Sequence, residues 1–380
     1  MNELQQADAA INPSGRFTTL GGPQPFRPKV SIIINNFNYA RFLEEAVDSA
    51  LCQTYSDVEV IVVDDGSTDG SRDILKKYEG QAHIFLKENG GQASAFNVGC
   101  KIAMGQLIAF LDSDDSLFPD AIETVVNAWE PSIVKAQFPL QILGPEGSTG
   151  FVMPRARLSE GNLLRQLLET GRYVSSPTSG NVYARDFLEK IFPIPQPEWD
   201  HGDAYINNCV PFYGPVAAIH RPLGIYRVHE NSMSCAMSRG TVDLGQLEKL
   251  MRHAFMEKSL IESLAQKRGL QFSPSLLVSH WMHLKLSLSL HRLKTQPGLY
   301  RVKVLLRSAF AMAASVMRSE ELTPFVKVQH IAWAAGVATL PDAVANKFIQ
   351  LAFDHAPQSR ILGFLRRRLV RKSQSAVYKP

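Results

Sequence analysis

The spacing of apolar and polar positions changes along this chain, and each change marks a boundary. Residues 1–28 are polar and rich in proline and glycine (Pro13, Gly15, Gly21, Gly22, Pro23, Pro25, Pro28), which reads as a flexible leader. From Val30, short β-branched runs alternate with helical spacing. VSIIINN (30–36), VEVIVVDD (58–65), HIFLKE (83–88) and QLIAFLDS (106–113) predict four strands. Phe42, Leu43, Ala46, Val47, Ala50 and Leu51 predict a helix over 39–52; another is predicted over about 92–104, and STDGSRDILKKY opens a further one. Apolar strands alternating with helices argue a parallel sheet covered on both faces. From about Thr241 the segments lengthen into helices over 244–267, 276–293 and 300–317, followed by a short apolar stretch, 329–340, that Pro341 stops. The division is therefore a leader (1–28), an α/β domain (29–240), a helical region (241–358) and a basic amphipathic tail (359–380).

Composition narrows the functional classes. With 45% apolar and 20% charged residues, the chain of 380 can bury a core. The net charge of +4 conceals an asymmetry: seven basic and no acidic residues lie between Arg360 and Pro380. Without those seven, 33 basic residues face 36 acidic ones, a balance that argues against a general nucleic-acid binder. No run of 18 uncharged apolar residues predicts a spanning helix. The N-terminus lacks the basic and apolar regions of a secretory signal. Four scattered cysteines without a CxxC pair suggest neither a zinc knuckle nor a disulfide framework, and a cytoplasmic setting is expected.

Ligands of parallel sheets bind beyond the strand C-termini, and each strand here ends in polar residues. In LDSDDS (111–116), Asp112, Asp114 and Asp115 repel one another unless something neutralises them. A hard divalent cation shared with phosphate oxygens would do so; a solvated turn capping the helix after Pro119 carries about equal weight on spacing alone. In VVDDGSTDGS (62–71), Gly66 permits a tight turn and Ser67, Thr68 or Asp69 can cap the next helix. Capping leaves the adjacent Asp64 and Asp65 unexplained; one of them bonding a base or ribose would account for the pair. In NGGQASAFNVG (89–99), paired glycines before a helix let backbone amides approach an anion, and Asn97 sits inside that helix against its propensity. Neither a GxxxxGK[ST] loop nor a GxGxxG fingerprint is present.

Taken in order, KVSIIINNFNYARFLEEAVDSALCQTYSDVEVIVVDDGSTDGS, NGGQASAFNVG and LDSDDSLFPD resemble the nucleotide-sugar domain of family 2 glycosyltransferases, densely over 29–130 and less densely to about 235. The resemblance implies the GT-A fold: a Rossmann-like α/β domain with a mostly parallel central sheet, followed here by an α-helical C-terminal region. It also implies inverting transfer of a sugar from a nucleoside diphosphate, with Mg2+ or Mn2+ on the diphosphate and a UDP- or dTDP-sugar as donor. Carried over by position, Asn35 and Phe37 meet the nucleotide, and Asp65 holds the base with Asp64 beside it. Asn97 lies in the donor motif, Asp114 contacts ribose or donor sugar, and Asp112 and Asp115 belong to the metal motif, with Asp115 the direct ligand. Where members often carry Arg before the Asn of the third motif, this chain has Phe96.

The resemblance places a catalytic base in EWDHGDAYINN (198–208), with Asp203 first and Asp200 second; a carboxylate there would take the proton from the acceptor hydroxyl. In GIYRVHENSMS (224–234), Arg227 and His229 alternate, so both point the same way if the segment is extended. A YRxH-like element implies a loop over the diphosphate, with His229 on metal or phosphate. The acceptor is expected to be a glycan or lipid-linked hydroxyl in bacterial surface-polysaccharide assembly. Transfer of a single sugar is favoured because the QxxRW element and spanning helices of the processive synthases are missing. A nucleotidyltransferase or a non-catalytic sugar-nucleotide or glycan-binding module are the alternatives. The tail SRILGFLRRRLVRK suits an interfacial helix on anionic lipid through Arg360–Lys372, which would make the protein peripheral on the inner face of the cytoplasmic membrane. Docking of that helix on its own protein has almost equal weight, and RNA binding by its arginines less.

Overall fold

The computed structural model describes residues 26–199, 201–229, 244–273, 281–319 and 322–353. Most of the leader, Asp200 and the whole basic tail, including Arg360–Lys372, lie outside the described residues. The first half builds a seven-stranded sheet. Its strands are β1 (Val30–Asn36), β2 (Val58–Asp65), β3 (His83–Lys87), β4 (Leu107–Asp112), β6 (Lys135–Gln137), β9 (Asn181–Ala184) and β10 (Val216–Ala218), in the order β10-β6-β9-β4-β1-β2-β3. All neighbours pair in parallel except β9, which runs antiparallel to both β4 and β6.

Helices cover both faces, and for that reason β1 reads as an unbroken apolar run. Val30, Ile32 and Ile34 pack with Leu43, Ala46 and Val47 of α1 (Ala40–Leu51) on one side. On the other, Ile33, Ile61 and Val63 meet Ala93 and Phe96 of α3 (Gln92–Ile102) and Ile206 of α7 (Gly202–Cys209). The short α2 (Ser71–Leu75) follows β2, and α4 (Ala121–Asn127) follows β5 (Ser116–Leu117). Strand β5 belongs to a second sheet, β5-β11-β7-β8, with β7 (Leu140–Gly144), β8 (Gly147–Met153) and β11 (Gly224–Arg227). Helices α5 (Leu164–Thr170) and α6 (Arg185–Leu188) complete this half.

The chain winds outward from β1 through β2 to β3, then returns to place β4 on the other side of β1. Such a reversal opens a crevice beyond the strand ends. The register sets Asn35 opposite Asp112 across it.

The C-terminal half is helical: α8 (Leu244–Lys267), α9 (Trp281–Lys294), α10 (Leu299–Arg318), α11 (Pro324–Thr339) and α12 (Asp342–Phe353). Helix α11 starts before the apolar stretch at Gln329, because Pro324 occupies its first turn and Thr323 caps it by accepting from the Val326 amide. Leu305, Ala309, Met312 and Val316 of α10 share a core with Ala334 and Val337 of α11 and Ile349 of α12. Helix α8 joins the two halves. Its Met256, Leu260 and Leu264 pack on the α/β core, and Ile261 and Ala265 on Leu167 and Leu168 of α5.

Candidate active site

The polar residues that end the strands meet at the crevice, but they are not equally open to it. At the end of β2, Asp64 is fully buried. It accepts from Asn36 Nδ2 at 2.9 Å, the Ser67 amide at 3.1 Å and Arg72 Nε at 3.0 Å. Asp65 accepts from the amides of Gly90 (3.0 Å) and Gly91 (2.7 Å) and pairs with Lys87 Nζ. The glycine amides, expected from the sequence to meet a ligand anion, thus meet a carboxylate of the chain itself. Between these partners Gly66 turns at φ +84°, and a Cβ there would lie 2.6 Å from the Asn89 nitrogen. Phe37, just past β1, is 42% exposed at the mouth.

The acidic motif divides into an inner and an outer part. Asp112 Oδ1 accepts from Asn35 Nδ2 (3.1 Å) and Gln92 Nε2 (3.0 Å). Burial, with Asp114 and Asp203 adding like charge, pushes its carboxyl up to about 7; bonds from Asn35 and Thr178 act the other way. Asp115 is almost wholly buried, and both of its oxygens are engaged, by the Ser179 hydroxyl (2.6 Å) and the Arg227 amide (2.9 Å). Burial and its two acidic neighbours hold that carboxyl well above the usual range. Asp114 lies nearer the mouth, its Oδ2 3.0 Å from His229 Nε2, while Arg227 Nε donates to its carbonyl at 3.0 Å. Arg227 and His229 therefore reach the same residue from the end of β11.

Asp115, expected as the direct metal ligand, has both oxygens engaged within the chain. Asp115 ties the motif to β11, and Asp114 with His229 presents oxygen and imidazole to the crevice. Around His229 stand Phe42 (ring centroids 4.7 Å apart) and Tyr39 (5.6 Å), and the Arg227 guanidinium lies 5.0 Å over Phe42 and pairs with Glu45. Burial and the three aspartates raise the Tyr39 phenol. Tyr39 and Phe42 sit on the predicted first helix or its edge and gave no polar signal, so the sequence offered nothing to single them out.

Asn97 is placed differently from the expectation. Its Nδ2 donates to the Ile194 carbonyl (3.0 Å) and its Oδ1 accepts from the Ile194 amide (2.7 Å). Both ends of the amide are spent on clamping α3 to the segment before α7. Phe96, where relatives of the resemblance often carry Arg, is fully buried, stacks on Phe110 at 4.1 Å and packs so closely under α7 that a Cβ at Gly202 would lie 2.4 Å from it. The departure is thus a packing residue that requires glycine at the start of α7.

Asp203 lies in the first turn of α7, its Oδ1 2.8 Å from the Ala204 amide. Gln92 links this turn to the acidic motif: its Nε2 donates to Asp112, and its Oε1 accepts from the Gly202 amide at 3.1 Å. One turn further along α7, Asn207 Oδ1 accepts from Lys135 Nζ (2.8 Å) and from the Tyr183 hydroxyl (3.1 Å). Lys135 is fully buried, also donates to Ser175 (2.7 Å) and lies 5.5 Å over the Tyr173 ring. Burial lowers its amine well below the usual lysine range, against an opposing pull from Asp203.

A divalent cation fits the donor set. Burial apart, Asp112, Asp114 and Asp115 lie close enough for like charge to raise the carboxyls of Asp112 and Asp115, and a hard cation would relieve that repulsion. Among the described residues no three His, Cys, Asp or Glu side chains converge to hold a metal unaided. That is the arrangement in which one or two protein groups share the ion with substrate phosphates.

Three comparisons bear on this arrangement. Residues 31–175 match the sequence family described as Glycosyl transferase family 2. The chain is 39% identical over 219 residues to an uncharacterized glycosyltransferase of Nostoc sp. strain PCC 7120, covering 55% of this chain and 68% of that protein. It is 46% identical over 99 residues to the chondroitin synthase of Pasteurella multocida strain Pm70, covering 25% of this chain and only 10% of the synthase. The crystal structure of S. aureus TarS 1–349 in complex with UDP-GlcNAc superposes with a TM-score of 0.50 at 14% identity, over 86% of this chain and 90% of that one, a likeness of fold.

Proposed function

Since the chain belongs to glycosyl transferase family 2, we propose that it transfers a single sugar, with inversion, from a nucleoside diphosphate to a hydroxyl of a glycan or lipid-linked acceptor in surface-polysaccharide assembly. The observation that carries this reading is the Gln92 bridge, which couples the turn bearing Asp203 to Asp112. It supports a base on that turn acting at the same crevice as the acidic motif. Asp203 would accept the proton of the acceptor hydroxyl as that oxygen attacks the anomeric carbon. Asp114 and His229 would hold Mg2+ or Mn2+, with Asp112 and Asp115 behind them supplying negative field. When bound, the cation would offset the charge of the departing diphosphate. Asn35, Phe37 and the Asp64–Asp65 turn would border the nucleoside, a UDP- or dTDP-sugar being the favoured donor. Asp200 stays the second candidate for the base, and a catalytic role for Arg227 is limited to closing β11 over the motif.

The test is a pair of variants assayed against a panel of nucleotide sugars. Asp203→Asn should keep Mn2+-dependent donor binding and lose about 10²–10⁴-fold in transfer, the usual worth of a general base. Undiminished transfer by this variant would move the base elsewhere. Asp114→Ala and His229→Ala should each weaken Mn2+-dependent donor binding; equal affinities with and without Mn2+ in the wild type would remove the metal from the proposal.

A further inference from the structure

Helix α10 has two faces of different fates. Arg301, Leu305, Ala309, Met312 and Val316 are buried against the other C-terminal helices. A neighbouring face, about 110° round the helix at 3.6 residues per turn, carries Leu299, Val302, Leu306, Phe310 and Met317, all exposed, Leu299 at 84% and Phe310 at 79%. With Ala313 between them, these residues step by three or four and so stay on one side of a helix with 3.6 residues per turn. Over 20 residues the stripe runs ~30 Å at ~1.5 Å per residue. Lys303, Arg307 and Arg318 are exposed along one flank. Helix α10 itself carries no Asp or Glu, and its fourth cation, Arg301, is buried against Asp342. Contiguous apolar surface of this extent marks an interaction site.

Charge selects the occupant. The tail beyond residue 359 is amphipathic but carries seven cations and no anion, so it would bring like charge to a cationic rim. A second copy meeting the stripe face to face would do the same. An anionic bilayer supplies both what the stripe lacks: an apolar phase for Leu306 and Phe310, and phosphate headgroups for Lys303 and Arg307. No helix among the described residues is long and apolar enough to cross a membrane, which leaves lying in the interface plane. We propose that the outer face of α10, centred on Leu306 and Phe310 and edged by Lys303, Arg307 and Arg318, seats this protein on an anionic lipid surface.

The test is sedimentation of the full chain with phosphatidylcholine vesicles, with and without phosphatidylglycerol. The wild type should pellet with the anionic vesicles and be released by high salt. Leu306→Ser/Phe310→Ser, at exposed positions, should melt like the wild type and partition at least about tenfold less. Lys303→Glu/Arg307→Glu should lose the preference for phosphatidylglycerol. Deleting 359–380 should leave most of the binding in place. The proposal is overturned if the wild type does not pellet, or if the double-serine variant pellets undiminished. It is equally overturned if binding disappears with the tail alone, or if the stripe holds a vesicle-free dimer that the serine variant dissociates.

Discussion

Replacing Asn97 separates two roles that the sequence could not tell apart. The side chain makes two bonds to the backbone of Ile194, itself 1% exposed. Asn97→Ala removes both partners and leaves a buried N–H and a buried C=O, each costing about 1–3 kcal/mol when unsatisfied. Alanine returns about 0.5 kcal/mol of helix propensity, so a net loss of about 1.5–5.5 kcal/mol is expected. Equilibrium urea unfolding should report it as a lower midpoint with an unchanged slope. Asn97→Asp, which keeps the acceptor and loses the donor, should fall between. Donor affinity, measured calorimetrically on the folded variants, should stay within about twofold of the wild type, since a factor of two is only ~0.4 kcal/mol. An unaltered midpoint together with lost donor affinity would refute the clamp and restore Asn97 as a ligand contact.

Three further outcomes are expected. The Asp112 carboxyl, pushed up to about 7, binds its proton more tightly folded than unfolded. Metal-free stability should therefore fall as pH rises from ~4 through ~7, and melts of Asp112→Asn should show a flatter pH dependence over that range. Lys135→Met keeps the volume of a buried stem and removes a desolvated amine, but deprives Ser175 and Asn207 of a donor, so stability should fall by about 1–3 kcal/mol. It releases Asn207 of α7, and kcat should fall about tenfold as Asp203 loses its setting; equal kcat would show the anchor to be idle. Gly66→Ala should lose ~1–3 kcal/mol in thermal or urea unfolding, because its positive φ and the Asn89 backbone leave no room for a Cβ.

Strands β1, β2 and β4 were legible because both of their faces are buried, which writes them as continuous apolar runs, whereas the edge strand β3 is largely exposed and was legible through its β-branched and aromatic residues. The later strands were not legible. In β6, Lys135 and Gln137 are fully buried, and a lysine inside a three-residue strand has no periodicity to betray it. β9 contains Asn181, also fully buried and bonded to the carbonyls of Ser176 and Pro177. The carboxylates of the site could be read from their crowding, whereas Gln92 and Ser179 act through distant neighbours and look ordinary in the sequence. That Asp115 rather than Asp114 is held inside the fold turns on which carboxylate the Arg227 amide captures, a contact across 112 positions of chain.

That contact has a consequence for the order in which the molecule is made. β5, immediately after the acidic motif, pairs with β11, which leaves the ribosome more than a hundred residues later. A fragment ending at residue 175, where the family match stops, would hold every carboxylate of the motif and neither the strand that captures Asp115 nor the imidazole that faces Asp114. Nascent chains should bury the β1–β4 crevice early and assemble a competent site only on near-completion of the α/β half, as pairings distant in sequence form slowly. Chains released before β11 should therefore be inactive.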